Sequence, residues 1–236
     1  MESSVQTTPQ PRNKRAKPSL LGMILEPGKQ FERIRERPVI VVPLLIVLLL
    51  MGLASVATVE PMMELPEMQA QMELIGEDLL RNSTYIFTPI STVFVLLLSI
   101  LFTSFCQWLL TLLFQGSARF SQIFSLNTHL SIFGILSIVV YAAFLWVVGV
   151  SESAAVYPTS LGALLPATGF VGGVLAGIEV FAVWQLIVGA WGLSAIARIS
   201  SGKAWVAAVV PFVIVLLLTA GMVAIGETFN MDANMG

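Results

Sequence analysis

Charged residues are scarce in this chain of 236 residues. Lys, Arg, Asp and Glu together make up 11% of the sequence, and apolar residues make up 56%. Soluble chains carry about 25% charged residues, so this composition is far from theirs. It excludes most classes of soluble enzyme and indicates a protein that lies in a lipid bilayer.

Cysteine and histidine are nearly absent. The chain has one of each, Cys106 and His129, which allows no intramolecular disulfide and makes an ordinary metal site or catalytic pair unexpected. Phosphate-binding glycine loops, metalloprotease helices and exposed nucleophile motifs are missing as well. We therefore expect a non-enzymatic protein with no catalytic residue, no cofactor, no metal and no nucleic-acid partner.

Long apolar runs occupy most of the sequence. A helix needs about 20 mostly apolar residues to cross about 30 Å of hydrocarbon. Five segments meet this requirement: 38–58, 89–114, 130–150, 170–197 and 204–226. The sequence therefore predicts an all-α integral membrane protein, with five transmembrane helices in a membrane domain over residues 38–226.

Basic residues predict the orientation of these helices. Eight of the twelve Lys and Arg residues precede the first span, and short loops rich in Lys and Arg stay in the cytoplasm. The N-terminus is thus predicted to be cytoplasmic. Five spans then place the C-terminus outside the cytoplasm. We expect a multi-pass protein of the cell (plasma) membrane, most simply the bacterial inner membrane.

The segments that flank the spans differ in composition. Residues 1–18 are predicted to form a disordered basic cytoplasmic tail, and residues 227–236 an extracytoplasmic tail. Residues 19–37 are predicted to form interfacial amphipathic helices at the inner surface. Basic side chains of this segment suit anionic membrane lipids. The candidate lipid-binding residues are Lys29, Arg33, Arg35 and Arg37.

The longest connection, residues 60–88, has a helical pattern of its own. Apolar residues recur at spacings of three and four, which predicts an outer amphipathic helix over about residues 65–80. Two uses of its apolar face stay open: a cap on the outer ends of the protein's own spans, or a docking site for a partner's extracytoplasmic domain. The candidate partner-binding residues are Leu65, Met68, Met72, Ile75 and Leu79.

An acidic residue lies within the fourth predicted span. Glu179 is near its middle, where an ionisable group is costly and is a candidate functional residue. Gln107 in the second span and Gln185 in the same span are candidate hydrogen-bond partners. The candidate intramembrane functional residues are Glu179, Trp184 and Gln185. Structural hydrogen bonding, proton coupling and contact with a cation all stay open as roles.

Glycine recurs every four residues at the start of the same span. Such a ridge of small residues lets a neighbouring helix approach closely. The pattern predicts helix packing and leaves open whether the neighbour belongs to the same chain or to another copy. The ridge residues are Gly169, Gly173 and Gly177.

Two stretches carry a resemblance to a known family. Residues 27–34 read Pro-Gly-Lys-Gln-Phe-Glu-Arg-Ile. Residues 179–184 read Glu-Val-Phe-Ala-Val-Trp and are followed by a Gly-Leu pair at 192–193 and by Lys203. The chain resembles Yip-family membrane proteins in these stretches, and the resemblance extends over about residues 20–226. It implies five spans with a cytoplasmic N-terminus.

The resemblance also implies a function. The chain resembles in particular a bacterial Yip-family protein that accompanies a macrolide-type ABC exporter, which implies a non-enzymatic scaffold that modulates exporter assembly. Such a complex would serve efflux or resistance to toxins and antimicrobial peptides. The expected partners are membrane lipids and the exporter's permease, adaptor and ATPase, and a homo-oligomer also stays open. The alternatives are a stand-alone small transporter or channel that uses Glu179, and a trafficking-type Yip protein.

Overall fold

A computed structural model describes residues 16–149 and 156–233, with side chains as far as residue 228. Within these ranges the chain is all-α and forms eleven helices. They are α1 (Leu20–Leu25), α2 (Pro27–Glu36), α3 (Val41–Met62), α4 (Pro66–Ile75), α5 (Glu77–Leu113), α6 (Phe120–Leu130), α7 (Ile132–Val148), α8 (Leu161–Leu164), α9 (Gly169–Gly177), α10 (Val180–Ala197) and α11 (Ser201–Ala233).

Five of these elements are long and apolar enough to cross a membrane. They are α3, α5, the α6–α7 pair, α10 and α11. The predicted all-α class with five spans is therefore confirmed. Several helices continue beyond their apolar core: α5 begins at Glu77 rather than residue 89, and residues 227–233 of the predicted C-terminal tail are helical. Hydropathy identifies the apolar part of a helix and does not detect its polar extension.

The fourth span differs from its prediction as a continuous helix. The helix is interrupted after Gly177 and begins again at Val180, which leaves α10 as the segment that meets the span criteria. Residues 150–155, which include the predicted end of the third span, lie outside the described residues, as do residues 1–15 of the predicted tail and residues 234–236.

The five spans form a ring. Helix α3 packs on α5, α5 on α11, α11 on α10, α10 on α7, and α7 on α3. Helix α6 packs between α5 and α10 at one end of the ring, together with α1 and α2. We call α1 and α2 the foot, this end of the bundle the foot end, and the opposite end the far end.

The foot is anchored in the core and does not lie only at a surface. Met23 and Ile34 are fully buried and Phe31 is 4% exposed, and all three belong to the main apolar cluster. Leu21 and Leu25, on the other face of α1, are 68% and 78% exposed. The foot therefore packs one apolar face against the bundle and leaves another uncovered.

The glycine ridge lies against α11 of the same chain. A Cβ atom on Gly173 would come within 2.6 Å of the Ala220 Cα atom, and one on Gly177 would overlap the Leu216 side chain. At the start of α9, the Gly169 amide donates a hydrogen bond of 2.6 Å to the Glu227 carboxylate. The predicted small-residue ridge thus serves internal packing.

We expect Gly173→Ala to destabilise the α9–α11 contact, because the added methyl group meets backbone that cannot move aside easily. Overpacking of this kind costs about 1–3 kcal/mol. The free energy of unfolding of the purified protein in micelles, from denaturant titration, measures the loss. Gly221→Ala on α11 is the matched control, since its Cβ would meet nothing within 4 Å. Equal stabilities of the two variants would contradict the prediction.

Candidate functional site

Glu179 lies at the junction between α9 and α10, where it is the N-cap residue of α10. The interruption leaves backbone groups without helical partners, and apolar surroundings offer none. Residues 157–161 fold back onto the junction and supply them. The Leu161 amide donates to the Ile178 carbonyl at 3.0 Å, and the Val180 amide donates to the Thr159 carbonyl at 3.2 Å.

The Glu179 carboxylate completes this arrangement. Its Oε1 atom accepts a hydrogen bond of 2.7 Å from the Thr159 hydroxyl, and its Oε2 atom accepts one of 3.0 Å from the Ala182 amide. Glu179 is 7% exposed. The predicted partners Gln107 and Gln185 are not its hydrogen-bond partners. The placement of Glu179 within a continuous helix was wrong, since hydropathy alone does not detect a helix break that is hydrogen-bonded from outside.

Two stacked tyrosines cover the junction. The rings of Tyr141 on α7 and Tyr157 have centroids 4.5 Å apart at an interplanar angle of 28°. Burial, followed by the charge interactions with Tyr141 and Glu179, raises the pKa of Tyr157 to about 12. The phenol therefore stays neutral at physiological pH beside the Glu179 carboxylate.

Gln107 and Gln185 lie at the centre of the ring instead. Both line a cavity of about 140 Å³ between α5, α6, α10 and α11. A second cavity of about 180 Å³ adjoins it and shares the lining residues Ser99, Thr103, Asn127 and Gln185. The structure thus brings the two predicted glutamines together in a cavity lined by both polar and apolar side chains, which the sequence pattern did not predict.

Asn127 forms the hydrogen bonds that hold one wall of this cavity together. Its Nδ2 atom donates to Ser104 Oγ at 3.0 Å, to Gln107 Oε1 at 2.8 Å and to the Ile123 carbonyl at 3.2 Å. Asn127 and Ser104 were not among the predicted site residues. A signal was present in the sequence, since polar residues recur every four positions along α5 at Ser99, Thr103 and Gln107.

Trp184 contacts the ring of Phe133 on α7, with centroids 5.1 Å apart, and is 41% exposed. It packs α10 against α7 and presents the rest of its indole outward. The structure gives it a packing contact beside the cavity, and it is not among the residues that line the cavity.

Two of the basic residues of the foot, Lys29 and Arg33, have local partners. Lys29 forms an exposed ion pair of 2.6 Å with Glu26. Arg33 Nη1 donates to Gln30 Oε1 at 3.3 Å and to the Lys17 carbonyl at 3.4 Å. The side chain of Arg35 is partly exposed and that of Arg37 is exposed. All four lie on α2 or directly after it.

The outer amphipathic helix is two helices. Gly76, with φ of +89°, separates α4 from α5, and this conformation is easy only for glycine. The predicted apolar stripe is divided as a result. Leu65, Met68 and Met72 are partly buried, while Ile75 and Leu79 are 51% and 62% exposed.

An ion-pair cluster ties the start of α5 to the end of α3. Arg81 Nη1 contacts both Glu60 oxygens, at 2.5 and 2.8 Å, and Arg81 Nη2 contacts Glu77 Oε1 at 3.0 Å. The Tyr85 hydroxyl donates to Glu60 at 2.9 Å. The far end of α5 is thereby held in place beside the exposed part of the stripe.

We expect Glu179→Leu to free residues 157–161 from the junction, because it removes the acceptor of the Thr159 hydroxyl and of the Ala182 amide. Loss of an N-cap costs about 0.5–2 kcal/mol. The amides of Leu161 and Val180 should exchange hydrogen faster, as measured by mass spectrometry in micelles.

Glu179→Gln is the control, since it retains a side-chain acceptor oxygen and should preserve most of the protection. Unchanged exchange in the leucine variant would contradict the structural role. Loss of proton-coupled flux in liposomes on Glu179→Gln, with protection unchanged, would favour the transport alternative.

The family-like stretches meet in the fold. A Cβ atom on Gly192 would lie 3.0 Å from Phe31 Cε1, so the absence of a side chain there lets α2 pack closely on α10. Lys203 lies over the Phe114 ring, 5.8 Å from its centroid, and donates to the Phe114 carbonyl at 3.4 Å. Residues that are far apart in the sequence therefore form the packing contacts between helices at the foot end.

Comparisons with known proteins agree with this resemblance. The family model described as the Yip1 domain matches residues 21–222. The membrane protein YknW of Bacillus subtilis is 29% identical over 213 residues, which cover 88% of this chain and 91% of YknW. No solved structure matches the chain. The chain therefore belongs to the Yip1 domain family.

Proposed function

We propose that this protein is a non-enzymatic accessory subunit of an ABC-type exporter, which binds the other subunits in the bacterial plasma membrane and modulates their assembly. The proposal takes the class of partner from the family resemblance. The observation that carries it is an uncovered apolar surface at the far end of the bundle. Efflux, or resistance to toxins and antimicrobial peptides, is the process that such a complex would serve.

This surface, which we call the outer docking surface, consists of Leu74, Ile75 and Leu79 around the Gly76 turn. Leu74 is 83% exposed, more than any residue of the predicted stripe. Many apolar side chains along the spans are exposed as well, as expected of a lipid-facing surface, but this group lies outside the predicted apolar spans and among polar residues, which is typical of a protein interaction site. Exposed acids surround it, namely Glu67, Glu73, Glu77 and Asp78.

The two uses predicted for the outer helix are divided between its faces. The face with Leu65, Met68 and Met72 is partly buried against the protein's own helices, so this half supports the cap interpretation. No residue that the structure describes covers the face with Leu74, Ile75 and Leu79 to the same extent. Its acidic surroundings favour a partner with basic residues around an apolar contact, and a substrate-carrying adaptor outside the membrane is the exporter subunit placed to reach it.

The foot is the second surface in this proposal. With the orientation that the basic residues predict, the foot lies at the cytoplasmic leaflet and the outer docking surface lies outside. Lys29, Arg33, Arg35 and Arg37 would then lie near anionic headgroups, each contributing about 1 kcal/mol of attraction. Membrane contact at one end leaves the far end free for the partner.

We expect the full-length tagged protein, extracted from its native membrane in mild detergent, to bring with it an ABC permease, its ATPase and its adaptor. Replacing two exposed apolar side chains by Leu74→Glu and Leu79→Glu should reduce their recovery about tenfold, which corresponds to about 1.4 kcal/mol of lost binding. Quantitative mass spectrometry measures the ratio of each subunit to the tagged protein.

Gln71→Glu is the matched control, because it adds an acid to the same exposed helix and leaves the apolar surface intact. Recovery of the protein alone, under detergent conditions that keep the exporter's own subunits together, would overturn the proposal. Equal losses in the control and the double variant would show that charge, and not the apolar surface, decides the interaction.

A further inference from the structure

The central cavities contain polar groups that the described residues do not satisfy. Within the described part of the chain, Ser99, Thr103 and Gln185 make no side-chain hydrogen bond, although all three line both cavities. Gln107 accepts from Asn127 through Oε1, and its Nε2 atom has no partner in the same ranges. The Oδ1 atom of Asn127 likewise has no hydrogen-bond partner among the described residues. Donors and acceptors therefore both face the same space.

The side-chain donors and acceptors without hydrogen-bond partners indicate which chemical groups an occupant of the cavities should carry. Amide side chains present N–H donors and C=O acceptors side by side, and hydroxyls can act as either. An occupant that carries amide or hydroxyl groups matches this set, whereas a hydrocarbon would leave the polar atoms unpaired inside the membrane.

The cavities exclude charged occupants. Among the described residues, no Asp, Glu, Lys, Arg or His lines either cavity. An ion that entered would lose its hydration without meeting a countercharge, which is unfavourable inside a bilayer. The occupant that fits is therefore uncharged.

The volumes limit its size. The cavities measure about 140 and 180 Å³, close to the volume of about 150 Å³ that accommodates benzene in an engineered protein cavity. Each therefore has room for one molecule of about six heavy atoms or for several waters.

The second cavity has a neighbouring cavity at the side of the bundle. A third and more open cavity lies between α3 and α5 and is lined by Met51, Ser91, Thr92, Val95, Leu96 and Ser99. It shares Leu96 and Ser99 with the second cavity. Polar residues therefore recur along α5 from Ser91, which is nearer the far end of the bundle, to Gln107 at its centre.

We propose that the two inner cavities bind a small uncharged molecule that carries amide or hydroxyl groups, and that it enters through the adjoining cavity between α3 and α5. Gln185 and Asn127 make the central hydrogen bonds, and Ser99 lies where the access route meets the inner cavities. This site is independent of the outer docking surface.

Site-specific thiol protection tests the proposal in the full-length protein in phosphatidylcholine nanodiscs. The background is Cys106→Ser, which removes the native thiol, and Ser99→Cys adds a thiol of nearly the same shape in the cavity. Uncharged methyl methanethiosulfonate modifies it, and acetamide is the probe ligand. We expect acetamide to slow modification with saturation, about threefold at twice its dissociation constant, and isosteric but charged acetate to leave the rate unchanged.

Two further variants make the result specific. Leu98→Cys lies next in sequence on α5 and is 47% exposed on the outside of the bundle, so acetamide should not alter its modification rate. Gln185→Leu, added to the Ser99→Cys variant, should weaken protection at least about tenfold, which corresponds to about 1.4 kcal/mol.

Several results would overturn the proposal. They are no modification of the Ser99 thiol, no protection by acetamide, equal protection by acetate, and equal protection at Leu98. The first two would mean that the cavities are closed or hold water only. The last two would mean that the protection does not come from selective binding of an uncharged molecule in the cavities. If Ser99→Cys fails to fold, as judged by gel filtration, Thr103→Cys replaces it, because Thr103 lines both inner cavities.

Discussion

Backbone amides and carbonyls inside a hydrocarbon layer must find partners within the protein, since lipid provides none. This requirement decides how the interruptions of this fold are built. Residues 157–161 supply the hydrogen bonds missing at the Glu179 junction. At the foot end, the Gln122 and Ser125 side chains donate to the carbonyls of Arg35 at 2.6 Å and Val39 at 2.8 Å, where the chain leaves α2. The connections between helices are therefore parts of the bundle.

Sequence reasoning found the spans because membrane insertion depends on summed apolar content over about 20 residues, a quantity that any one sequence contains. It missed the break after Gly177 because one acid, Glu179, does not lower the summed apolar content of residues 170–197 enough to divide the predicted span. The break is stabilised by Thr159 and Leu161, which become neighbours only in the folded chain. Gly76 is a different case: its neighbours fit a helix pattern, and the positive φ there is a property of the fold.

The candidate site was predicted in part for a similar reason. An acid within an apolar run draws attention, so Glu179 was placed at the centre of the site, whereas the structure accounts for its carboxylate by capping. Gln107 and Gln185 were identified as polar residues but assigned to the wrong neighbour. The repeat of Ser99, Thr103 and Gln107 along α5 was available in the sequence, and only the ring arrangement shows that it faces inward.

Helix α5 runs through both regions for which a function is proposed. It begins beside the outer docking surface, where Arg81 forms an ion pair with Glu60 of α3, and its 37 residues continue past the cavities. Pro89 lies inside the helix between these two regions, and an interior proline removes one backbone hydrogen bond and kinks a helix. The ion pair of Arg81 fixes the part of α5 before Pro89, whereas packing against α3 and α11 positions the part that carries Gln107. The two regions are therefore positioned by different contacts, although they share one helix.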